Sequence, residues 1–174
     1  VVVTDARDIQ GVYNAISLVG EVVDRQEQAS ALIQSMKERF AAVKAKAAAH
    51  PGDARSVYFE VAPFAVGLWT AGSSTFMDEI AGMLQLKNIF ADVNSWAEVS
   101  QEQVIDRNPD IIVTVTMYDG DGPAPEQEIL SRVGWQGITA VKDRAVYQVD
   151  NSAFTRPGPR LADAAEALWD VLYD

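Results

Sequence analysis

The sequence predicts an α/β domain in which a mostly parallel central sheet carries helices on both faces. Three observations point there. Short runs rich in β-branched and aromatic residues recur along the chain: RSVYFEV at 55–61, IIVTV at 111–115 and RAVYQV at 144–149. Segments between and around them repeat apolar residues every three or four positions, the period of an amphipathic helix. The stretch 100–115 joins a capped helix directly to a buried strand, the repeating step of α/β layers. At 174 residues, with 48% apolar and 22% charged side chains, the chain has the make-up of one globular domain with a real core.

The elements follow in order. Val1 to Val3 reads as the end of a strand, and Asp8 as an N-cap. Ile9, Val12, Ile16, Val19 and Val23 form the apolar stripe of the first helix. The phase breaks after Val23, where Asp24 with Glu27 offers a second capping signal. Ala29, Leu32, Ile33, Met36, Phe40, Val43 and Ala47 resume the stripe until His50-Pro51-Gly52 closes it. A helix from about Arg25 to Ala48 is ~36 Å long at ~1.5 Å per residue, longer than a small domain needs. RSVYFEV is a strand with Pro63 at its exit, and PFAVGLWTAGSS at 63–74 is a loop. Ser73 or Ser74 caps a helix whose apolar side runs through Phe76, Met77, Ile80, Met83 and Leu84. KNIFADV at 87–93 is a turn and a short extended piece leading to Trp96.

Ser100 and Gln103 form a capping box, with Glu102 in the first turn where a negative charge suits the helix dipole. Asn108-Pro109 stops that helix, because proline disfavours the α conformation just before it. IIVTV follows as a strand buried on both faces. MYDGDGPAP at 117–125 is a turn-forming loop, and loops beyond the carboxyl ends of parallel strands are where α/β sheets hold ligands. EQEILSRV at 126–133 is a short helix, and Trp135 and Gly137 lead into the strand RAVYQV. NSAFTRPGPR at 151–160 is a loop. The final helix, LADAAEALWDVL, turns Leu161, Ala164, Ala165, Leu168, Val171 and Leu172 inward. No internal repeat or low-complexity segment occurs.

Composition excludes several classes of function. A net charge of −11 opposes binding to nucleic acid or to an anionic membrane surface. There is no cysteine, hence no disulfide framework and no thiolate metal site. His50, the single histidine, sits at a helix end, and no serine lies in a G-x-S-x-G elbow. P-loop and G-x-G-x-x-G patterns are absent, and GDG at 120–122 reads as a turn. Asp119 and Asp121 are spaced to hold a hard cation, without an EF-hand pattern around them. No site for a directly bound transition metal is expected from a single histidine. A small hydrolase or phosphate-binding enzyme, recruiting Ser73, Ser74 or His50, is the alternative of another class.

Aromatic and guanidinium side chains remain at one predicted sheet edge. Trp69 follows the first strand, Trp96 precedes the capped helix, Tyr118 follows IIVTV, and Phe154 and Arg156 precede the last helix. Each aromatic taken singly is explained by packing. Together on strand-end loops they suit a large, flat, partly apolar ligand, with the arginine pairing a peripheral anionic or amide group.

The pattern Trp96-x-x-Val99-Ser100-x-Glu102-x-Val104-Ile105, continued by Pro109-Asp110-Ile111-Ile112, resembles the carboxy-terminal lobe of substrate-binding proteins serving ABC importers for vitamin B12 and iron chelates. YFEV at 58–61, TAGSSTFMDEIAGMLQLKNIFADV at 70–93 and RPGPRLADAAEAL at 156–168 continue the likeness in the family's order. The resemblance implies that residues 1–52 are an interlobe strand end and a long backbone helix, that 53–174 are the lobe, and that an amino-terminal lobe lies outside this chain. It implies ligand-stacking roles for Trp69 and Trp96, a ligand-reaching role for Arg156, and docking of Glu102 onto arginines of the membrane permease. The cargo it implies is a cobalt corrinoid or chelated iron, with haem or a siderophore as the alternative. Met117 or Tyr118 is then the candidate axial ligand for haem. The implied setting is extracytoplasmic, periplasmic or lipid-anchored, with the export signal outside this chain, and no chemistry of bond making. The isolated lobe is expected to bind cargo weakly and to self-associate through its aromatic face.

Overall fold

Four short strands form the centre of the domain: β1 (Ser56–Glu60), β3 (Lys87–Asn88), β5 (Ile111–Thr114) and β6 (Val146–Gln148). They are ordered β3-β1-β5-β6 and every pairing is parallel, with Val57 opposite Ile111 and Ile112 opposite Val146. The computed structural model describes residues 3–50, 52, 54–117 and 122–173. The expectations placed on Val1, Val2, Pro51, Tyr118, Asp119 and Asp121 therefore lie outside the described residues. Val3 is not in a strand.

Alternation along the strands divides the core into two halves, one per sheet face. Val57, Phe59, Ile111 and Val113 point into a cluster with Met36, Phe40, Ile80, Leu161 and Leu168. Tyr58, Ile112 and Val146 point the other way, against Val104, Ile129, Trp135 and Val141. Burial on both faces explains why β1 and β5 read as continuous apolar runs. The arrangement is the expected helix–sheet–helix sandwich.

Helix α1 (Ile9–Val22) begins at Asp8, whose Oδ1 accepts from the Gly11 N–H at 2.6 Å. The turn into α2 (Gln26–Ala49) differs from expectation. Asp24 adopts the left-handed conformation (φ 55°), and the Arg25 N–H reaches back to the Gly20 carbonyl at 2.7 Å. Asp24 thus closes α1 rather than capping α2, whose N-cap is Arg25, without a side-chain bond. α2 is tied to the last helix, α8 (Leu161–Tyr173), by Arg39, whose Nε donates to Glu166 at 2.8 Å and whose NH2 donates to Asp163 at 2.6 Å. Along α2 the stripe holds at Ala29, Met36, Phe40, Val43 and Ala47, while Leu32 is exposed. Val171 of α8 is also exposed, and Trp169 takes an inward place instead.

Three segments expected as loops or extended pieces are ordered elements. Residues 63–74 hold a 3-10 turn (Phe64–Val66) and strand β2 (Leu68–Ala71). β2 pairs antiparallel with β4 (Trp96–Val99), making a separate two-stranded ribbon. Helix α3 (Phe76–Met83) starts one residue beyond the expected serines: Thr75 is the cap, and its hydroxyl accepts from Asp78 N. α4 (Gln101–Arg107) has the predicted capping box, with Gln103 Oε1 accepting from Ser100 N at 2.8 Å. Asn108 ends it in the left-handed conformation, and its Oδ1 accepts from Thr139 N at 2.8 Å. α5 (Pro125–Ser131) opens on Pro125, which suits a first helical turn where no amide donor is needed. α6 (Thr139–Lys142) and α7 (Asn151–Thr155) complete the chain, each a helix where only a connection was expected.

Candidate functional site

The β2–β4 ribbon brings two of the predicted tryptophans together. Register places Trp69 opposite Glu98 and Ala71 opposite Trp96. Residues directly opposite in an antiparallel pair share a face, and so do residues two apart along one strand. Trp69, Ala71, Trp96 and Glu98 therefore lie on one face of the ribbon, the indoles diagonal to each other. The opposite face carries Leu68 and Val99 into the core. Trp69 is 38% exposed. Trp96 is half-buried, its ring edge-on to Phe76 at 5.6 Å. Both tryptophans thus sit on strands rather than on loops, and Trp96 is partly within the core pattern. The ribbon is hooked onto the main sheet where Val61 N donates to the Trp69 carbonyl at 3.0 Å, just beyond the carboxyl end of β1.

The other predicted residues divide. Arg156 is exposed on the α7–α8 loop and makes no hydrogen bond or ion pair among the described residues. Phe154 is corrected. It is 1% exposed and belongs to the large core cluster, so it presents no surface to a ligand. The reason is α7: Asp150 caps it by accepting from Ala153 N at 2.7 Å, and the helical turn rotates Ala153 and Phe154 inward. Tyr118 lies outside the described residues. Met117, exposed by 75%, borders a cavity of about 310 Å³ at the carboxyl ends of β5 and β6, which Gln148 and Asn151 also line. Glu102 is exposed in the first turn of α4, and hydrogen bonds from its own backbone N–H and the Ser100 hydroxyl hold its carboxyl below the ordinary glutamate range.

Beneath this edge lies a buried charge cluster that the sequence reading missed. Glu60 closes β1 and is 2% exposed. Arg132 meets it with two parallel bonds, of 2.8 and 3.0 Å, and donates through Nε to Glu128 at 3.0 Å. The guanidinium lies 4.5 Å from the Phe64 ring centre and 4.2 Å from that of Trp135, whose indole N–H donates to Gln101 in the first turn of α4. Burial pushes the Glu60 carboxyl up, while the Arg132 guanidinium draws it back and Glu128 adds to the rise. Burial works against the Arg132 charge too, and its bonds to Glu60 and Glu128 overcome this and hold it firmly cationic. The cluster fixes the end of β1, the Phe64 turn and the start of α4 relative to one another.

Two of the three residues proposed for hydrolysis are engaged elsewhere. The Ser73 hydroxyl donates to the Val93 carbonyl at 3.0 Å, and His50 packs edge-on to Tyr173 at 4.6 Å beside the amino end of β1. A concavity of about 570 Å³ opens there, but Arg55 within it already lies over Tyr173 and bonds the Leu172 carbonyl. Among the described residues no group of three or more His, Cys, Asp or Glu is placed to hold a metal, and no helix is long and apolar enough to cross a membrane.

A parallel sheet between helix layers, with an open aromatic ribbon beyond its carboxyl edge, defines a three-layer α/β lobe. Comparison with known proteins gives that class its family. The profile described as "Periplasmic binding protein" matches residues 1–153, and the chain belongs to that family. It is 36% identical over 172 residues to an ABC transporter substrate-binding lipoprotein of Bacillus subtilis, covering 98% of this chain and 52% of the relative. It is 26% identical over 173 residues to a cobalamin-binding protein of Halobacterium salinarum, covering 97% of this chain and 46% of the relative. Among solved structures, a possible iron-binding periplasmic solute-binding protein from Staphylococcus epidermidis superposes with a TM-score of 0.85 at 31% identity, covering all of this chain and 66% of the other. The chain spans about half the length of these two curated relatives.

Proposed function

We propose that this chain is the lobe of an extracytoplasmic solute-binding protein that helps enclose a corrinoid or iron chelate and presents it to the permease of an ABC importer. The observation that carries the reading is the shared face of Trp69 and Trp96, two indoles set by strand register at the edge where α/β sheets bind ligands. Flat π-faces match a wide, rigid macrocycle, and Arg156 is free to reach a peripheral group. The relatives' names as vitamin B12-binding and cobalamin-binding proteins support the corrinoid choice. The Bacillus relative's description as a lipoprotein supports a periplasmic or membrane-anchored setting. In this reading residues 1–52 form the interlobe element and residues 53–174 the lobe. Its work is capture and delivery, with no bond made or broken.

Glu102 serves as the docking acid. Exposed and ionised at the start of a capped helix, it is free to form a charge-assisted pair with a permease arginine without prior burial. The isolated lobe, with its aromatic face uncovered, binds cargo weakly and self-associates. A second reading, haem or a ferric siderophore as cargo, draws on Met117, exposed beside the cavity at the ends of β5 and β6. Absorbance titration of the intact protein with cyanocobalamin, hemin and a ferric hydroxamate separates the two. A spectral change with cobalamin is expected, and none with cobalamin would defeat the corrinoid choice. Glu102→Arg in the intact protein should spare cargo affinity and abolish uptake. Normal uptake would remove the docking role.

A further inference from the structure

We infer that Trp69 and Glu98 form a two-point reader for a primary amide on the cargo, biasing the site toward amide-bearing corrinoids and against carboxylate-bearing haem. The inference rests on the transport reading above and deepens it. Its basis is the close approach of two side chains at Gly67. That glycine has φ +98° and ψ 158°, a conformation essentially closed to residues with a side chain. A β-carbon built on it would lie 2.8 Å from Glu98 Oε1 and 3.7 Å from Trp69 Nε1. Glu98 Oε1 therefore takes the space a side chain at 67 would need, which sets an acceptor against bare backbone with the Trp69 donor close beside it.

Neither group is spent inside the protein. Among the described residues, Trp69 Nε1 donates to nothing and the Glu98 carboxylate has no hydrogen bond or ion pair. Both belong to exposed residues on the ribbon face that also holds Trp96. An indole N–H is a donor only, and an ionised carboxylate is an acceptor only. A primary amide complements that pair, its carbonyl accepting from Trp69 while its N–H donates to Glu98. A corrin ring is fringed with primary amides. Haem instead carries propionates, which would meet the indole donor but repel the Glu98 charge. Sequence reading finds the aromatics without this pair, because an exposed glutamate in a short strand looks like a solvated surface residue.

The test uses the intact protein, titrated with cyanocobalamin and with hemin by quenching of tryptophan fluorescence. Circular dichroism confirms that each variant is folded. Glu98→Gln keeps the shape and removes the charge, and it should lower the cobalamin-over-hemin preference by about tenfold or more. Glu98→Ala, which also removes the acceptor, should weaken cobalamin binding about five- to tenfold. Wild type that binds cobalamin while both variants keep its preference overturns the amide reader and leaves the transport reading standing. Wild type that binds neither probe sinks the macrocycle reading and this inference with it.

Discussion

Arg132→Met tests the buried charge cluster under the binding edge. Met retains much of the apolar stem between Phe64 and Trp135 but strands Glu60, which is 2% exposed, without its counter-charge. Breaking a buried pair by removing one partner costs about 3–5 kcal/mol. Glu128 adds little to that figure, because its side chain is 35% exposed and can turn to water. For a domain of this size the loss corresponds to about 2–4 °C in Tm per kcal/mol. The deficit should depend on pH, with a definite sign. Burial already raises the folded pKa of Glu60, and losing the guanidinium raises it further. A carboxyl whose folded pKa exceeds its unfolded value loses stability as pH rises between the two. The deficit should be largest near neutral pH and shrink on acidification toward the ordinary glutamate pKa. Urea unfolding of the intact protein, followed by tryptophan fluorescence at both pH values, measures it. Adding Glu60→Leu to Arg132→Met should recover most of the loss, since two well-packed apolar groups leave no orphan charge. A single variant within about 1 kcal/mol of wild type, or a double variant no better than the single, would refute the reasoning.

The remaining predictions concern local features. Ser100→Ala removes the acceptor of Gln103 N and should cost about 0.5–2 kcal/mol, read as faster amide exchange in the first turn of α4. Glu166 is held below the ordinary glutamate range by its bond from Arg39, so it stabilises the α2–α8 contact above that range and stops doing so as pH falls through its lowered folded value. The stability difference between wild type and Glu166→Gln should therefore be present at neutral pH and vanish once the pH has fallen below that lowered folded value. Gly72→Ala would set a β-carbon 2.0 Å from the Val93 carbonyl oxygen, which the backbone must move to relieve. About 1–3 kcal/mol of destabilisation is expected, together with weaker cargo binding, because the shift reaches the ribbon that orients both indoles.

Much of the lobe was legible because its signals are local. Asp8 and Ser100 with Gln103 set helix starts through bonds to near neighbours in the chain, and Pro109 sets a stop by restricting the residue before it. IIVTV announced a strand covered on both faces. What stayed hidden depends on partners far away in the chain. β2 and β4 are strands because they pair with each other across some 27 residues, the separation of Trp69 from Trp96, and each is too short to declare itself. Neither LWTA nor WAEV alternates apolar with polar residues, so no local pattern marks them as strands. Phe154 was misplaced because the five-residue α7 falls inside 151–160, where the two prolines mark a loop. Arg132 met Glu60 through a 72-residue separation that no local pattern encodes.

The ribbon alters what kind of site this is. Loop-borne aromatics would order on ligand binding and lose conformational freedom in doing so, whereas strand-borne ones are held by backbone pairing before any ligand arrives. Trp96 is further restrained by Phe76, and the Trp69 backbone by Val61 at the end of β1. The same β1 end is anchored by Glu60 to Arg132, which touches Trp135 and, through it, the α4 turn that carries Glu102. The proposed cargo face and the proposed docking acid thus belong to one connected block rather than to two independent patches. Under the proposed function such a block would transmit cargo occupancy by where the whole lobe sits, because nothing within it has to refold. Substitutions that loosen Arg132 should accordingly weaken cargo binding and permease docking together, while Glu98 and Glu102 variants should affect one each.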